Sequence, residues 1–256
     1  MLRWVVVRQE AGSRQKRPSG QALGQRKPLI DKTTGIEKAI ECIPDGATVM
    51  VGGFGVPGTP FCLIDELVRR NSRRLTLIKN DANEAGMGVD HLLQNGQVER
   101  LIVSHIGLNP HAIELMNTGR LAVEFCAQGI LAERIRAAGA GLQGLLTDIG
   151  VETLLAQGKP VYQVDGRSCL LETPLRADIA LIHAQRADPF GNLTYAASAR
   201  NFCPLMAMAA TTVIVETEEL VGLGDIAPEA IHTPGPFVDY VVPLGELTEA
   251  YGIVSR

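Results

Sequence analysis

Between about residue 34 and residue 138 the chain alternates short runs of Val, Ile and Leu with stretches whose apolar residues recur at helical spacing. That alternation leaves few solutions. Strands buried on both faces read as continuous apolar runs, and helices between them are the crossovers of βαβ units, so a mainly parallel sheet is predicted. "TGIEKAIECI" sets Ile36, Ala39, Ile40 and Ile43 at i, i+3, i+4 and i+7, with Thr34 and Glu37 spaced as a capping box, and "PDG" at 44–46 stops the helix. "ATVMV" is the first strand; after a glycine-rich loop, Leu63, Ile64, Leu67 and Val68 share a helix face. "LTLIK" (75–79), "RLIVS" (100–104) and "LAVEF" (121–125) are further strands, and "HAIELM" and "ILAERIRAA" are helical. Later, "PVYQVD", "SCLLE", "ADIALIHA", "TTVIV" and "FVDYVV" read as strands with fewer helices between them. They predict extra, partly antiparallel strands on the sheet or a small β subdomain. The fold class is therefore α/β: a mainly parallel central sheet with flanking helices and additional antiparallel strands in the C-terminal part. With no internal repeat or low-complexity linker, residues 31–256 read as one domain.

A chain of 256 residues, 46% apolar and 20% charged, has the composition of an ordinary globular domain and can bury a substantial core. Its net charge of −4 gives no reason to expect nucleic acid, and its longest apolar runs are too short to cross a bilayer. Five scattered cysteines with no C-x-x-C pair imply free thiols in a reducing compartment, hence a cytoplasmic placement. In "SHIGLNPH", His105 and His111 have no metal-ligand spacing and read as unrelated polar loop residues, so no metal is expected. Residues 1–30 differ: seven Lys/Arg face one acid, leaving net charge −10 for the rest. This basic, disordered lead resembles a transit peptide, and equally an arm or an artefact of the assumed start; the fold argument leaves it aside.

The stretch "VMVGGFGVPGTPFCLIDELV" (49–68) carries Gly53, Gly55 and Gly58 in G-x-G-x-x-G spacing after a strand and before a helix. Asp81 ends the next strand 23 residues after Gly58, where a dinucleotide fold places the acid that binds ribose. Pro57 breaks the match. It falls where the fingerprint needs the helix already begun, and Thr59-Pro60 then reads as N-cap and first helical residue. All three glycines belong to the loop. Gly52, Gly53, Gly55 and Gly58 would leave backbone N–H groups uncovered beside a positive helix end, a surface for phosphate, carboxylate or a pantetheine chain. A tight connection binding nothing is the plainer alternative.

From Asp45, "DGATVMVGGFGVPGTP" follows a longer pattern, and "IKND" (78–81), "SHIGLNP" (104–110), "AQGILAERIRAAGAG" (127–141), "ADPFGNLTYAASARNFCPLMAMAA" (187–210) and "HTPGPFVDYVV" (232–242) continue it in order. Over residues 33–245 the chain resembles the alpha (A) subunit of family I coenzyme A transferases of the acetate/acetoacetate (3-oxoacid) type. The resemblance implies a ping-pong transfer of coenzyme A from a short-chain acyl-CoA (acetyl-, acetoacetyl- or succinyl-CoA) to a free carboxylic acid. A glutamate forms an acyl anhydride and then a glutamyl-CoA thioester, chemistry that needs oxyanion donors and exclusion of water. In the family that glutamate sits in a Ser-Glu-Asn-Gly motif of the beta subunit. No such segment occurs here; "QNGQ" (94–97) lacks the acid.

The resemblance therefore implies half an enzyme, completed by a beta subunit in an α2β2 heterotetramer. Coenzyme A is then a substrate, and no cofactor is permanently bound. It assigns coenzyme A or acyl binding to the loop Gly52, Gly53, Phe54, Gly55, Val56, Pro57 and Gly58. Gln128 becomes an oxyanion or carboxylate contact, and Asn80 lies near substrate. Read from the residues alone, Gln128 could cap a helix beginning at Ile130, and Asn80 could be an ordinary turn residue. "NDANEAG" departs from the family by placing Asn83 and Glu84 in the loop, which bears on the fit of the acyl chain. Glu133, Arg134 and Arg136 read as a solvated helix face rather than a phosphate clamp. "ARNF" (Arg200 to Phe202) is open between buttressing the loop and contacting the beta subunit. A chain whose site is completed by another should also expose an apolar surface. The alternative function is a sugar-phosphate-binding or isomerase-like α/β domain, which needs acid/base and basic clusters not seen here; a nicotinamide enzyme is weakened by Pro57.

Overall fold

The order of elements follows the alternation in the sequence. In the computed structural model, which describes residues 30–245, Leu247 and Tyr251, they are α1 (Ile36–Ile40), β1 (Thr48–Val51), α2 (Phe61–Arg70), β2 (Leu75–Ile78), α3 (Val89–Gln94), β3 (Val98–Val103), α4 (Pro110–Asn117), β4 (Ala122–Phe125) and α5 (Gln128–Gly139). Then come β5 (Leu145–Thr147), β6 (Val161–Val164), β7 (Arg167–Glu172), β8 (Ala177–Ala187), β9 (Leu193–Thr194), α6 (Cys203–Ala209), β10 (Ala210–Leu220) and β11 (Tyr240–Pro243). The basic lead lies outside the described residues.

The main sheet runs β11-β10-β8-β1-β2-β3-β4 with every one of these neighbours parallel, and β9 pairs antiparallel with β8. β5, β7 and β6 form a separate antiparallel sheet. Thus "PVYQVD" and "SCLLE" are the antiparallel pair, whereas "ADIALIHA", "TTVIV" and the end of "FVDYVV" join the parallel sheet. The centres of β8 and β10 are buried on both faces, as interior parallel strands must be. From β1 the chain winds outward through β2, β3 and β4, then returns to the other side of β1 as β8. The strand order reverses between β1 and β8, and the crevice beyond the carboxyl ends of such strands is where open α/β sheets bind ligands.

Side chains alternate between two apolar layers. Val49, Val51, Leu75 and Leu77 pack under α1 to α4, while Met50 and Ile78 face Ile130, Leu131 and Met206 of α5 and α6. Two helix starts differ from the sequence reading. α1 is capped by Gly35 with no side-chain bond, because Thr34 is drawn into backbone pairing with β11, its N–H donating to Val241 O at 2.9 Å. α2 has Pro60 as N-cap and begins at Phe61; Thr59 instead closes the loop, its Oγ1 donating to Gly55 O at 2.6 Å. An apolar surface is present on and around the small sheet, where Leu146, Ile149, Leu154, Val161, Tyr162 and Val164 are exposed.

Candidate active site at the carboxyl ends of the strands

The loop after β1 is folded mainly on itself and on its neighbours. Gly52 N–H extends the ladder to Leu181 O at 2.9 Å, Phe54 N–H reaches Pro57 O at 3.0 Å, and Thr59 N–H reaches Val56 O at 3.1 Å. A Cβ at Gly53 would lie 2.2 Å from Thr59 Oγ1, and one at Gly58 2.4 Å from Ala199 O; at Gly52 it would lie 2.7 Å from Cys203 Sγ. Three of the four glycines are thus required by close approach within the chain. Gly55 differs: it is needed for its φ of +61°, and a Cβ there meets nothing within 4 Å.

The loop's amides are less available than the sequence suggests. Gly55 N–H donates to Asp81 Oδ2 at 2.8 Å. Among the described residues, the amides of Val56 and Gly58 meet no acceptor. The start of α2 is also occupied: Leu63 N–H donates to Glu216 Oε2 at 2.9 Å and Cys62 N–H to Tyr251 Oη at 3.1 Å. The positive end of α2, expected to face a ligand, is answered by the chain's own carboxylate and phenol.

Asp81 is the hub of the site and not a ribose ligand. Its carboxylate also accepts from Asn80 Nδ2 (2.9 Å), Asn83 N–H (2.9 Å) and the wholly buried Lys79 Nζ (3.2 Å). Burial alone would raise its pKa; the Lys79 ammonium and these donors outweigh it and hold the carboxyl below its ordinary value. Lys79 has that one acceptor against complete desolvation, so its pKa is pulled down.

Asn80 gives its amide N–H to Asp81, so its Oδ1 is left to accept. Gln128 Nε2 donates to it at 2.8 Å and Ser104 Oγ lies 3.1 Å away. The two residues singled out in sequence, 48 positions apart, are therefore in direct contact. Gln128 is exposed as the first residue of α5; its side chain does not cap the helix, whose N-cap is Ala127. One Nε2 proton and Oε1 remain free to meet a ligand.

"ARNF" buttresses the loop: Asn201 Nδ2 donates to Pro57 O at 2.9 Å, and Ala199 O sits over Gly58. The solvated-face reading of α5 holds for the exposed Glu133–Arg136 pair but fails for Arg134. That residue is buried, bonded to Glu124 (2.8 Å) and Thr173 O (2.8 Å), because α5 packs this face against the small sheet. His105 stands beside Ser104 Oγ at 3.0 Å, and His111 faces Asp90 at 3.3 Å. Among the described residues no group of three His, Cys, Asp or Glu side chains gathers to hold a metal ion, and the five cysteines are free.

Sequence reasoning missed a second polar cluster. His183, nearly buried in β8, lies between Glu216 (2.9 Å) and Glu218 (3.0 Å) of β10, with Tyr251 stacked on its ring at 5.1 Å. Tyr251 also hydrogen-bonds Glu216. Desolvation would lower the imidazole pKa, but the two carboxylates prevail and raise it. The only signal was β-strand alternation in "ADIALIHA" and "TTVIVETEE", which says nothing about register. A small cavity of about 90 Å³ opens beside Gly55, between the glycine loop and the segments that follow β2 and β3. A larger one of about 340 Å³ lies on the other side of the loop, by His183 and Ala197.

The family model described as Coenzyme A transferase matches residues 33–244. The chain is 48% identical over 198 residues, 77% of its length and 90% of the relative's, to the alpha subunit of acetate CoA-transferase of Escherichia coli K12. It is 46% identical over 217 residues, 84% of its length and 94% of the relative's, to the A-type chain of 3-oxoadipate CoA-transferase of Pseudomonas putida. Among solved structures, the acyl-CoA transferase YdiF of E. coli O157:H7, as a thioester complex with CoA, aligns with TM-score 0.79 at 24% identity, covering 89% of this chain and 50% of that one. The chain thus spans half the length of that enzyme, and at this identity the likeness concerns the fold. A variant of the decarboxylase AibA/AibB aligns with TM-score 0.72 at 29% identity, covering 84% of each chain, so the fold alone does not fix the reaction. With the family model spanning the parallel sheet, the glycine loop, Asn80 and Gln128 together, this chain belongs to the coenzyme A transferase family.

Proposed function

We propose that the chain is the alpha-type, non-nucleophilic subunit of a two-subunit coenzyme A transferase of the 3-oxoacid/acetate type. A beta-type partner supplies the attacking glutamate. That glutamate adds to the thioester carbonyl of a short-chain acyl-CoA and expels coenzyme A thiolate, leaving an acyl-glutamyl anhydride. The thiolate attacks the glutamyl carbonyl, releasing the first acid and forming the glutamyl-CoA thioester; an incoming carboxylate reverses both steps. Each addition puts negative charge on a carbonyl oxygen, and the free Nε2 proton of Gln128 is the donor for it, held by Asn80. The loop Gly52–Gly58 walls the site, with Gly55 at the point where acyl chain or thioester approaches most closely. Coenzyme A enters as a substrate. Free thiols fit a reducing, cytoplasmic setting.

The observation that carries this reading is the Gln128–Asn80 contact at the mouth of the glycine loop, beside a carboxylate, Asp81, that is buried and engaged by four donors. A group so engaged is a poor nucleophile, so Asp81, the carboxylate bonded to the amide pair, serves as a clamp and not as the attacking acid. The test is transfer from acetyl-CoA to acetoacetate by this chain alone and with a co-expressed beta-type subunit. Peptide mapping of the enzyme trapped with hydroxylamine then locates the modified glutamate. Activity only with the partner, and modification only on it, are expected. Full activity of the chain alone, or a modified side chain on it, would overturn the proposal. The sugar-phosphate alternative has no corresponding observation: among the described residues no Lys or Arg lines either cavity beside the loop.

A further inference from the structure

Resting on the transferase reading above, we infer that the cavity beside Gly55 receives the uncharged tail of a short monocarboxylic acid, and that Glu84 at its mouth turns dicarboxylic acids away. The relatives do not decide this, since their names divide between acetate or acetate/butyrate and the diacids 3-oxoadipate and succinate. The walls of the cavity do.

Its position is that of an acyl pocket. Asp81 in its wall accepts from Asn80 Nδ2 at 2.9 Å, and Asn80 Oδ1 accepts from Gln128 Nε2 at 2.8 Å, so two hydrogen bonds link the cavity wall to the exposed amide. A carboxyl group held at Gln128 would therefore have its tail within reach of this cavity. Its volume, about 90 Å³, is well below the roughly 150 Å³ of an apolar cavity that accepts benzene, which suits a tail of about two to four carbons. Phe54, Val56, Met87, Ile106 and Leu108 make most of the wall apolar.

Among the described residues, the polar groups in that wall offer a second anion a few neutral donors, Val56 N–H among them, and no Lys or Arg. Asn83 spends one Nδ2 proton on Gly55 O at 2.8 Å and its Oδ1 on Val89 N–H at 3.1 Å, which leaves it a single neutral amide proton. Ser104 Oγ gives its proton to Asn80 O (2.7 Å) and lies 3.0 Å from His105 Nδ1, so that ring nitrogen is turned to the serine. Asp81 is an ionised carboxylate whose charge is answered by Lys79, and Lys79 is enclosed behind it. Glu84 is exposed at the rim, and among the described residues no group pairs with its side chain. A tail ending in methyl gains by leaving water here. A tail ending in carboxylate would lose its hydration and meet an unpaired carboxylate, with no Lys or Arg among the described residues lining the cavity to compensate.

The test uses the co-expressed two-subunit enzyme with acetyl-CoA as donor, comparing kcat/KM for butyrate and for succinate. Wild type is expected to favour butyrate at least tenfold. Glu84→Arg should shift that ratio toward succinate at least tenfold, and Glu84→Gln in the same direction by a smaller factor. Because the Glu84 side chain is exposed and makes no internal bond, both variants should retain the wild-type melting temperature. A smaller preference in wild type, or a ratio that either substitution leaves unmoved, would overturn the inference while leaving the transferase reading intact. Failure to transfer to any acid would instead count against the transferase reading itself, and the inference would fall with it.

Discussion

Asn80 illustrates how little freedom the site leaves to a single amide. Asp81 takes its N–H, so its oxygen must face Gln128 and Ser104, and the direction of every donor from Asp81 outward follows. Gln128 is the end of that chain and is exposed, so removing its amide should cost function and little else. Gln128→Ala is expected to lower kcat of the two-subunit enzyme by roughly 10²–10³-fold, the usual loss of one oxyanion donor. Unfolding stability should change by less than about 0.5 kcal/mol, as for other exposed substitutions. Steady-state kinetics alongside thermal melting checks both, and an unchanged kcat would remove Gln128 from the chemistry. Asn80 and Gln128 were recognisable from the motifs around them. The role of Asp81 was not, because a carboxylate ending a strand reads equally as a ligand for ribose or as an internal clamp until its neighbours are known. Glycine invited a similar misreading: at 53 and 58 the absent side chain makes room for Thr59 and Ala199, and only Gly55 faces open space.

Between elements, the β8–β10 register sets His183 opposite Glu216, and Glu216 in turn reaches the first turn of α2. One carboxylate thus joins the parallel sheet to the helix that follows the glycine loop. The imidazole is protonated more readily folded than unfolded, so it adds stability that is full below about pH 6.5, its unfolded value, and is lost as pH rises through the higher folded value. His183→Gln keeps a donor without the charge. The melting-temperature deficit of that variant should be largest near about pH 6 and shrink toward about pH 9. A deficit independent of pH would mean that the imidazole is neutral in this cluster. None of this was legible beforehand. The strands themselves were, from their runs of Val, Ile and Leu, but register in a parallel sheet depends on crossovers far apart in sequence. The helix starts slipped for a comparable reason: Thr34 and Thr59 have the right chemistry to cap, and each is claimed by a tertiary contact.

At the scale of the molecule, the chain holds donors, a closed loop and an acyl-sized cavity at the carboxyl ends of β1 to β4, and it exposes apolar side chains around the small sheet. As an alpha-type subunit it should associate with its beta-type partner as two copies of each. Native mass spectrometry of the co-purified proteins should give the mass of an α2β2 assembly, and separate elution of the two chains on gel filtration would contradict it. Among the described residues no helix is long and apolar enough to cross a membrane.

By itself the sequence determined the kind of architecture and the location of the glycine loop, since these rest on local periodicity and short contiguous motifs; Asn80 and Gln128 stood out only through the family resemblance, and as isolated residues read as a turn and a cap. The partners of each polar group were decided only when strands and helices distant in the chain came together. Asp81 closing the loop, Glu216 occupying the start of α2 and Arg134 sinking beneath the small sheet all depend on hydrogen bonds between segments 10 to 153 residues apart. A buried charge is tolerated only where a counterpart is delivered: Lys79 finds Asp81 two residues along the chain, but Arg134 and His183 find theirs only through the tertiary fold.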